Sequence, residues 1–479
     1  MVKYVETEVA VIGSGAAGMA AACAAAERGA KATIFEKNSR IGGSIRGGMG
    51  PLGIESHLQK EKHLHFTAEE AFKFHMDFTH WKVDARLVGE YIRKSADTIS
   101  WLEGMGVKFT DVAAYYPGAY FTWHTVDYEA EKITDVLFVQ AKKFGAEIYY
   151  ETTVKKILND NGRILGLSGR DNYGKDIMVQ AKAVVVATGG GSGNAAWIKE
   201  QTGYNQGQDL FIISYPEIQG EGVRMAWEAG AAASPVTVDA FICLPDPYGG
   251  PGGTLEELGA FRQPNLMVNL DGERFMNEEI IKNPGLGGNA VHRQKNGCGI
   301  MIFDAPIKDD YAEYGLDYGL VNRPFRKGAP IDGIIEKARC EGYEHLFMAD
   351  SIEELSAAAG IDARNLARTI AEYNAACDSG RDEIFYKPPK YLRPITKPKF
   401  YAARFFLSGY GVLGGIKINH HAEVLSKEHE VILGLYAAGN DANDVFGDTY
   451  PFALAGSSSG FCYNIGRIAR ENAAKYVQS

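Results

Sequence analysis

The stretch "EVAVIGSGAAGMAAACAAAERGAKATIFEK", residues 8–37, decides the fold. Its opening, "EVAVIG" (8–13), is an apolar run of the kind that suits a strand covered on both faces. The alanine-rich segment "AAGMAAACAAAERGA" predicts a helix, and "KATIFEK" predicts the next strand. Together they make one βαβ unit of about thirty residues. Gly13, Gly15 and Gly18 stand in G-x-G-x-x-G spacing at the strand-to-helix junction, with Ala17 between them. Gly13 allows the tight turn, Gly15 lets a pyrophosphate approach the backbone, and Gly18 lets helix and sheet pack closely. The helix N-terminus then offers N–H groups and its dipole to phosphate. Glu36 ends the second strand, 18 residues after Gly18, where a carboxylate can accept both hydroxyls of a ribose; Lys37 follows it. Strand, glycine turn, helix, strand and acid together imply a bound dinucleotide.

The fingerprint does not separate NAD from FAD, but three later segments do. "IGGSIRGG" supplies Gly42, Gly43 and Ser44 soon after the acid. "VVVATGG" (184–190) and "GLYAAGND" (434–441) each end an apolar strand on small residues, giving Ala187, Thr188 and Gly189, then Gly439 and Asn440. Val154, on the strand "AEIYYETTVKKILND", is counted with this set. A ligand extended across three strand ends needs the length of FAD, held noncovalently.

Around this unit the chain reads as α/β. Helices are expected through "YIRKSADTISWLEGMG" and "ITDVLFVQAKKFG", and one strand through "AEIYYETTVKKILND". A hairpin is expected in "GRILGLSGRDNYGKDIMVQAKAVVVATGG". Beyond about residue 236 the texture changes, and "LPDPYGGPGG" and "KPPKYLRPITKPK" bracket a segment with its own strands and helices. The expected layout is a Rossmann-like FAD-binding domain from 1–239 and 399–479, with an inserted α+β capping domain at 240–398. The 479 residues are enough for two such cores.

Composition sets bounds on function. The 50 basic and 60 acidic residues give a net charge of -10 without long single-sign runs, which argues against nucleic-acid binding. The six cysteines form no C-x-x-C pair, so no metal site is expected. No apolar run is long enough to span a bilayer and no signal peptide is read, so a cytoplasmic protein is expected.

"GSGAAG", "EK…GGS", "ATGG…N" with Asn194, "QGEG" (219–222), "VNLDGERFMNE" (268–278) and "GLYAAGN" resemble the flavoprotein superfamily of fumarate reductase and succinate dehydrogenase, over nearly the whole chain, which implies Asn194 among the cofactor-binding residues. The resemblance implies a mobile cap, substrate between cap and flavin, and hydride exchange between flavin N5 and one carbon with a proton at its neighbour. It also implies a catalytic arginine after the "R-F-x-N-E" segment, a histidine pair before a "G-G" strand and a second substrate arginine. Here those places read Lys282, Tyr410 with Gly411, and "DTYPFALAGSSSG", so the carboxylate-gripping groups are missing. The last segment is more similar to the 3-ketosteroid dehydrogenases. There a tyrosine and a nearby glycine N–H hold the substrate ketone, which implies Tyr450 and, with two residues inserted, Gly456. Tyr115 or Tyr116, in "AAYYPGAYF", matches a further catalytic tyrosine, and Lys282 falls near the position of the deprotonating one.

Tyr450 supplies an electrophile for a carbonyl oxygen, and Lys282 or a tyrosine an acid or base. Ser457 and Ser458, in "AGSSSG", begin a helix whose N-terminus can face the flavin pyrimidine edge. The expected activity is hydride transfer between flavin and a C–C bond adjacent to an oxygenated ring, in a ketosteroid or polycyclic phenolic ketone, with direction open. Its expected partners are a cyclic small molecule and an external electron donor or acceptor such as NADH or a redox protein. The alternatives are reduction of a small α,β-unsaturated acid and service as a flavin-bearing electron-transfer subunit.

Overall fold

The computed structural model describes residues 2–44, 50–127, 132–245, 256–319 and 330–478. The opening segment folds as strand Lys3–Ile12, helix Ala16–Glu27 and strand Ala32–Phe35. Lys3–Ile12 lies between Ala32–Phe35 and Asp176–Val186, parallel to both, so its last four residues have no face toward water. The alanine helix is buried along almost its whole length, because small side chains let it lie close to the C-terminal helix Ser457–Gln478. Gly466 sits at that crossing, where a Cβ would come within 2.4 Å of the Ala17 carbonyl oxygen.

An eight-stranded sheet forms around this centre. Val431–Ala437 joins it in parallel beside Asp176–Val186. The register aligns Ile12 with Phe35 and with Val186, and Val186 with Ala437. Four strands therefore end in one row, and Gly13, Glu36, Ala187 and Ala438 leave the sheet at one edge. That row brings distant signatures together, at the carboxyl ends where open α/β sheets bind ligands.

One expected strand divides. Residues 146–160 form Glu147–Tyr149, parallel to Ala32–Phe35, and then Thr152–Asp160, antiparallel to Arg163–Asp171. Glu151 between them takes a left-handed φ of 49°, which reorients the chain by a turn that an apolar pattern does not register. The expected hairpin is present as Arg163–Asp171 paired with Asp176–Val186.

A second apolar core gathers residues between Ile242 and Phe406. Its six-stranded sheet is organised on Phe400–Gly409, which pairs with Phe241–Cys243, Cys298–Asp304 and Leu346–Ala349. Leu210–Ile212 joins the same strand in parallel from earlier in the chain. Inside this core the "ERFMNE" segment has a structural use. Arg274 grips Glu278 with two N–H donors at 3.0 and 2.9 Å and reaches Asp382 at 2.8 Å. Lys387, fully buried, stands 3.4 Å from Glu278 and donates to the Tyr373 hydroxyl at 2.8 Å.

The chain passes between the two cores beside a short ladder, Ala233–Val238 against Val412–Ile416. Asp239 fastens the crossing, its Oδ1 accepting the N–H groups of Tyr410 at 2.7 Å and Gly411 at 2.9 Å.

Candidate active site

The row of strand ends opens into a cleft of about 490 Å³ that runs from Glu36 to the aromatic residues near the second core. At the first end, Glu36 is 4% exposed. One of its oxygens accepts the N–H and O–H of Ser14 at 3.0 and 2.6 Å, and the other accepts the Asn38 N–H at 2.9 Å. The helix after the glycine turn has Gly15 as its N-cap and no side-chain oxygen on its first N–H groups. Those donors are left for a ligand anion. Space beside Gly15 is open, with nothing within 4 Å of a built Cβ. Gly13 is tight: φ is +97°, and a Cβ would meet the Ala187 oxygen at 2.4 Å.

Midway, Asp441 ties two signatures into one unit. It accepts the Thr188 hydroxyl at 2.9 Å and the Gly190 N–H at 2.8 Å on one oxygen, and the Gly189 and Thr188 N–H groups on the other. Burial pushes its carboxyl up, and these hydrogen bonds pull it back. Asp441 shapes the loop Thr188–Gly190 that lies along the cleft.

Many residues expected to bind the cofactor meet here. Gly13, Gly15, Ala17, Glu36, Lys37 and the Gly42–Ser44 loop line the cleft, as do Val154, Ala187, Thr188, Gly189, Gly439, Asn440 and Ser458. Three others serve the frame. Gly18 packs on Gly13, where a Cβ would fall 2.1 Å from its oxygen. Asn194 caps the helix Ala195–Thr202 by accepting the Trp197 N–H at 3.0 Å. Ser457 donates to the Leu454 carbonyl at 2.6 Å and is buried.

The far end is an aromatic chamber built from separated segments. Tyr115, Trp123, Tyr410, Tyr450 and Phe452 line it. The Tyr450 and Phe452 ring centroids are 4.8 Å apart, edge to face, and those of Tyr115 and Phe452 are 5.6 Å apart. The Tyr450 oxygen accepts the Ser458 N–H at 2.8 Å, in the first turn of the C-terminal helix. Burial pushes this phenol well above its ordinary range, against that hydrogen bond. Its own O–H has no acceptor among the described residues and is available as a donor. The indole N–H of Trp123 is likewise buried without an acceptor.

The other expected catalytic residues are placed differently from one another. Gly456 lines the cleft at φ +81°, where a Cβ would fall 2.6 Å from the Leu52 nitrogen. Tyr116 is outside the lining and accepts the Asn283 side-chain N–H at 3.1 Å. Lys282 is also outside it, paired with Glu279 at 2.5 Å. The 3₁₀ turn Glu278–Lys282 thus presents Asn283, not Lys282, to the tyrosine segment. His124 is a buried packing group between the Ser56 hydroxyl at 2.7 Å and the Thr122 carbonyl at 3.1 Å, and burial lowers it to about 4.

Sequence reasoning missed Asp239 and Arg262, both on the cleft wall. The signal for Asp239 was one acid inside the apolar run "PVTVDAFICLP". Arg262 ends a short 3₁₀ stretch with no side-chain hydrogen bond or ion pair among the described residues.

A family model described as an FAD binding domain matches residues 8–458. The chain belongs to this FAD-binding family. The flavoprotein is 30% identical over 487 residues to the vinyl phenol reductase of Lactiplantibacillus plantarum, covering 100% of this chain and 98% of that protein. It is 28% identical over 476 residues to a cytochrome-type fumarate reductase of Shewanella frigidimarina, covering 98% and 77% of the two. It shares its fold with the 3-ketosteroid-delta4-(5alpha)-dehydrogenase of Rhodococcus jostii RHA1. That match has a TM-score of 0.77 at 24% identity, covering 98% and 97% of the chains. The flavoprotein is an FAD-dependent oxidoreductase of the fumarate reductase type, acting on C–C bonds, and has the fold of a ketosteroid dehydrogenase.

The cleft fits FAD on its own evidence. A buried carboxylate, an uncapped helix N-terminus beside open space and an indole N–H without an acceptor among the described residues follow one another along it. No described helix is long and apolar enough to cross a membrane, and no described group of three His, Cys, Asp or Glu could hold a metal.

Proposed function

We propose that the protein reduces the C=C bond of an alkene conjugated to a phenolic ring, the vinyl phenol class. The observation that carries this is the chamber itself: aromatic walls with a free donor, the Tyr450 O–H, and an acid, Asp239. Flat apolar rings suit an aryl substrate. The relationship to a vinyl phenol reductase supports the same reading. Reduced FAD, when bound, supplies hydride to one alkene carbon, and its electrons come from an external donor. Tyr450 stands ready to give a proton to the neighbouring carbon, its oxygen steadied afterwards by the Ser458 N–H and the helix dipole.

A second reading rests on Arg262, whose guanidinium has no ion pair among the described residues and suits a carboxylate. In it the substrate is a small unsaturated acid. One experiment tests both: anaerobic photoreduction of the bound flavin, then mixing with 4-vinylphenol, a cyclic enone, a 3-ketosteroid, acrylate or fumarate. Rapid reoxidation by 4-vinylphenol, with 4-ethylphenol formed, is the expected result. Reoxidation by the carboxylates alone transfers the assignment to the second reading.

A further inference from the structure

A vinyl phenol carries an acidic hydroxyl, and only one carboxyl lies at the aromatic end of the cleft among the described lining residues, on Asp239. We propose that Asp239 is the catalytic base that takes the substrate's phenolic proton and later returns it. This deepens the vinyl phenol reading and rests on it.

The geometry argues for a proton acceptor. Oδ1 is fixed by the N–H groups of Tyr410 and Gly411, which sets the plane and position of the carboxyl. No other residue among the described ones donates a hydrogen bond to Oδ2, on a side chain that lines the cleft. Among the described residues no cation is paired with it, unlike the buried acids of the second core. The rings of Phe241 and Tyr410 stack beside it at 4.6 Å between centroids. Its charge raises the phenol of Tyr450, so the two groups share one electrostatic neighbourhood.

The chemistry balances. Asp239 Oδ2 removes the phenolic proton as the oxygen's electron pair is drawn through the ring toward the alkene. The far alkene carbon takes a proton from Tyr450. Once the carbon next to the ring has received hydride, with reduced FAD as its source, the pair returns to oxygen and Asp239 gives its proton back. One hydride and one proton are added in all. Asp239 ends ionised as it began, and Tyr450 is reprotonated from solvent.

Titration agrees with this cycle. Burial raises the Asp239 carboxyl from 3.8 to about 7, against the pull of its backbone hydrogen bonds, so it can accept and release a proton near neutrality. Tyr115, Tyr410, Tyr450, Arg262 and Cys462 are the other titratable groups lining this end. Burial moves Tyr450 upward and Cys462 to about 12, away from neutrality.

The test compares 4-ethylphenol with 4-ethylanisole, the same molecule with its proton replaced by methyl, as ligands of the oxidised holoprotein by calorimetry at several pH values. Wild type is expected to prefer the phenol by about tenfold or more above pH 7, as a charge-assisted hydrogen bond implies. It should lose most of that preference about one pH unit below the carboxyl's midpoint. Asp239→Asn, checked for FAD content and cooperative unfolding, should bind both ligands alike at every pH and turn over 4-vinylphenol at least about a hundredfold more slowly. The wild-type ligand pair needs no variant, so misfolding of Asp239→Asn would leave the test intact. Wild type that fails to reduce 4-vinylphenol overturns the substrate reading. Wild type that reduces it, with phenol preference and rate both unchanged in Asp239→Asn, overturns only the role of Asp239.

Discussion

Two buried acids show how differently one fold treats a carboxylate. Glu278, in the second core, is fully buried between Arg274 and Lys387, and Asp382 completes the cluster. Asp239, at the crossing between the cores, is nearly as buried, but among the described residues only backbone N–H groups bond it. Burying an ion costs several kcal/mol unless charge and hydrogen bonds compensate it. Full compensation makes Glu278 part of the frame. Partial compensation leaves Asp239 chemically available, at the expense of stability.

The sharpest way to break this contrast is at Glu278. Glu278→Gln leaves two buried cations short of an anion and should cost about 3–5 kcal/mol in denaturant unfolding. A loss under about 1 kcal/mol would mean that the cluster is not a frame at all.

Asp239→Asn should act in the opposite direction. With its carboxyl raised from 3.8 to about 7, the folded state is penalised for holding the ionised form. The penalty is absent below the ordinary value, grows as pH rises toward the folded value and is level above it. Asparagine keeps an oxygen for the two N–H groups and removes the penalty. The variant should therefore be about 2–4 kcal/mol more stable than the parent above pH 7, converging with it toward about pH 4, in unfolding curves across that range. Equal stability at pH 8 would show that the carboxyl is better solvated than its burial implies.

Tyr450→Phe removes the acceptor of the Ser458 N–H and should cost about 1 kcal/mol. Vinyl phenol turnover should fall by about a hundredfold or more, with FAD content unchanged. The smallest effect belongs to Lys282→Ala. Its pair with Glu279 is partly solvated, so unfolding should shift by no more than about 1 kcal/mol and turnover should stay within about twofold. A large loss of turnover with retained fold would return Lys282 to the reacting end.

Much of the FAD-binding frame was legible because its signals are local. A buried strand, a glycine turn and an alanine helix lie within thirty consecutive residues, and each states its own geometry. Lys282 and Asn283 show the limit. They are neighbours in sequence, and the family resemblance pointed to the lysine for the site, yet a 3₁₀ turn ending before Pro284 brings Asn283 to Tyr116. Glu151 is similar: "ETTVKKILND" continues the strand pattern, and only a left-handed residue reveals that the chain has changed partners.

The sequence by itself determined that a dinucleotide-binding α/β sheet forms, that several apolar strands end on small residues, and that Tyr450 precedes a helix start. Tertiary structure decided which of the chain's acids stand unpaired. Asp239 meets Tyr410 and Gly411 only where the chain returns from the second core, some 170 residues later. Glu278 meets Asp382 through Arg274 and lies beside Lys387 only when that core closes. Local pattern fixes where a side chain begins, but its charge state is set by neighbours that only folding brings near.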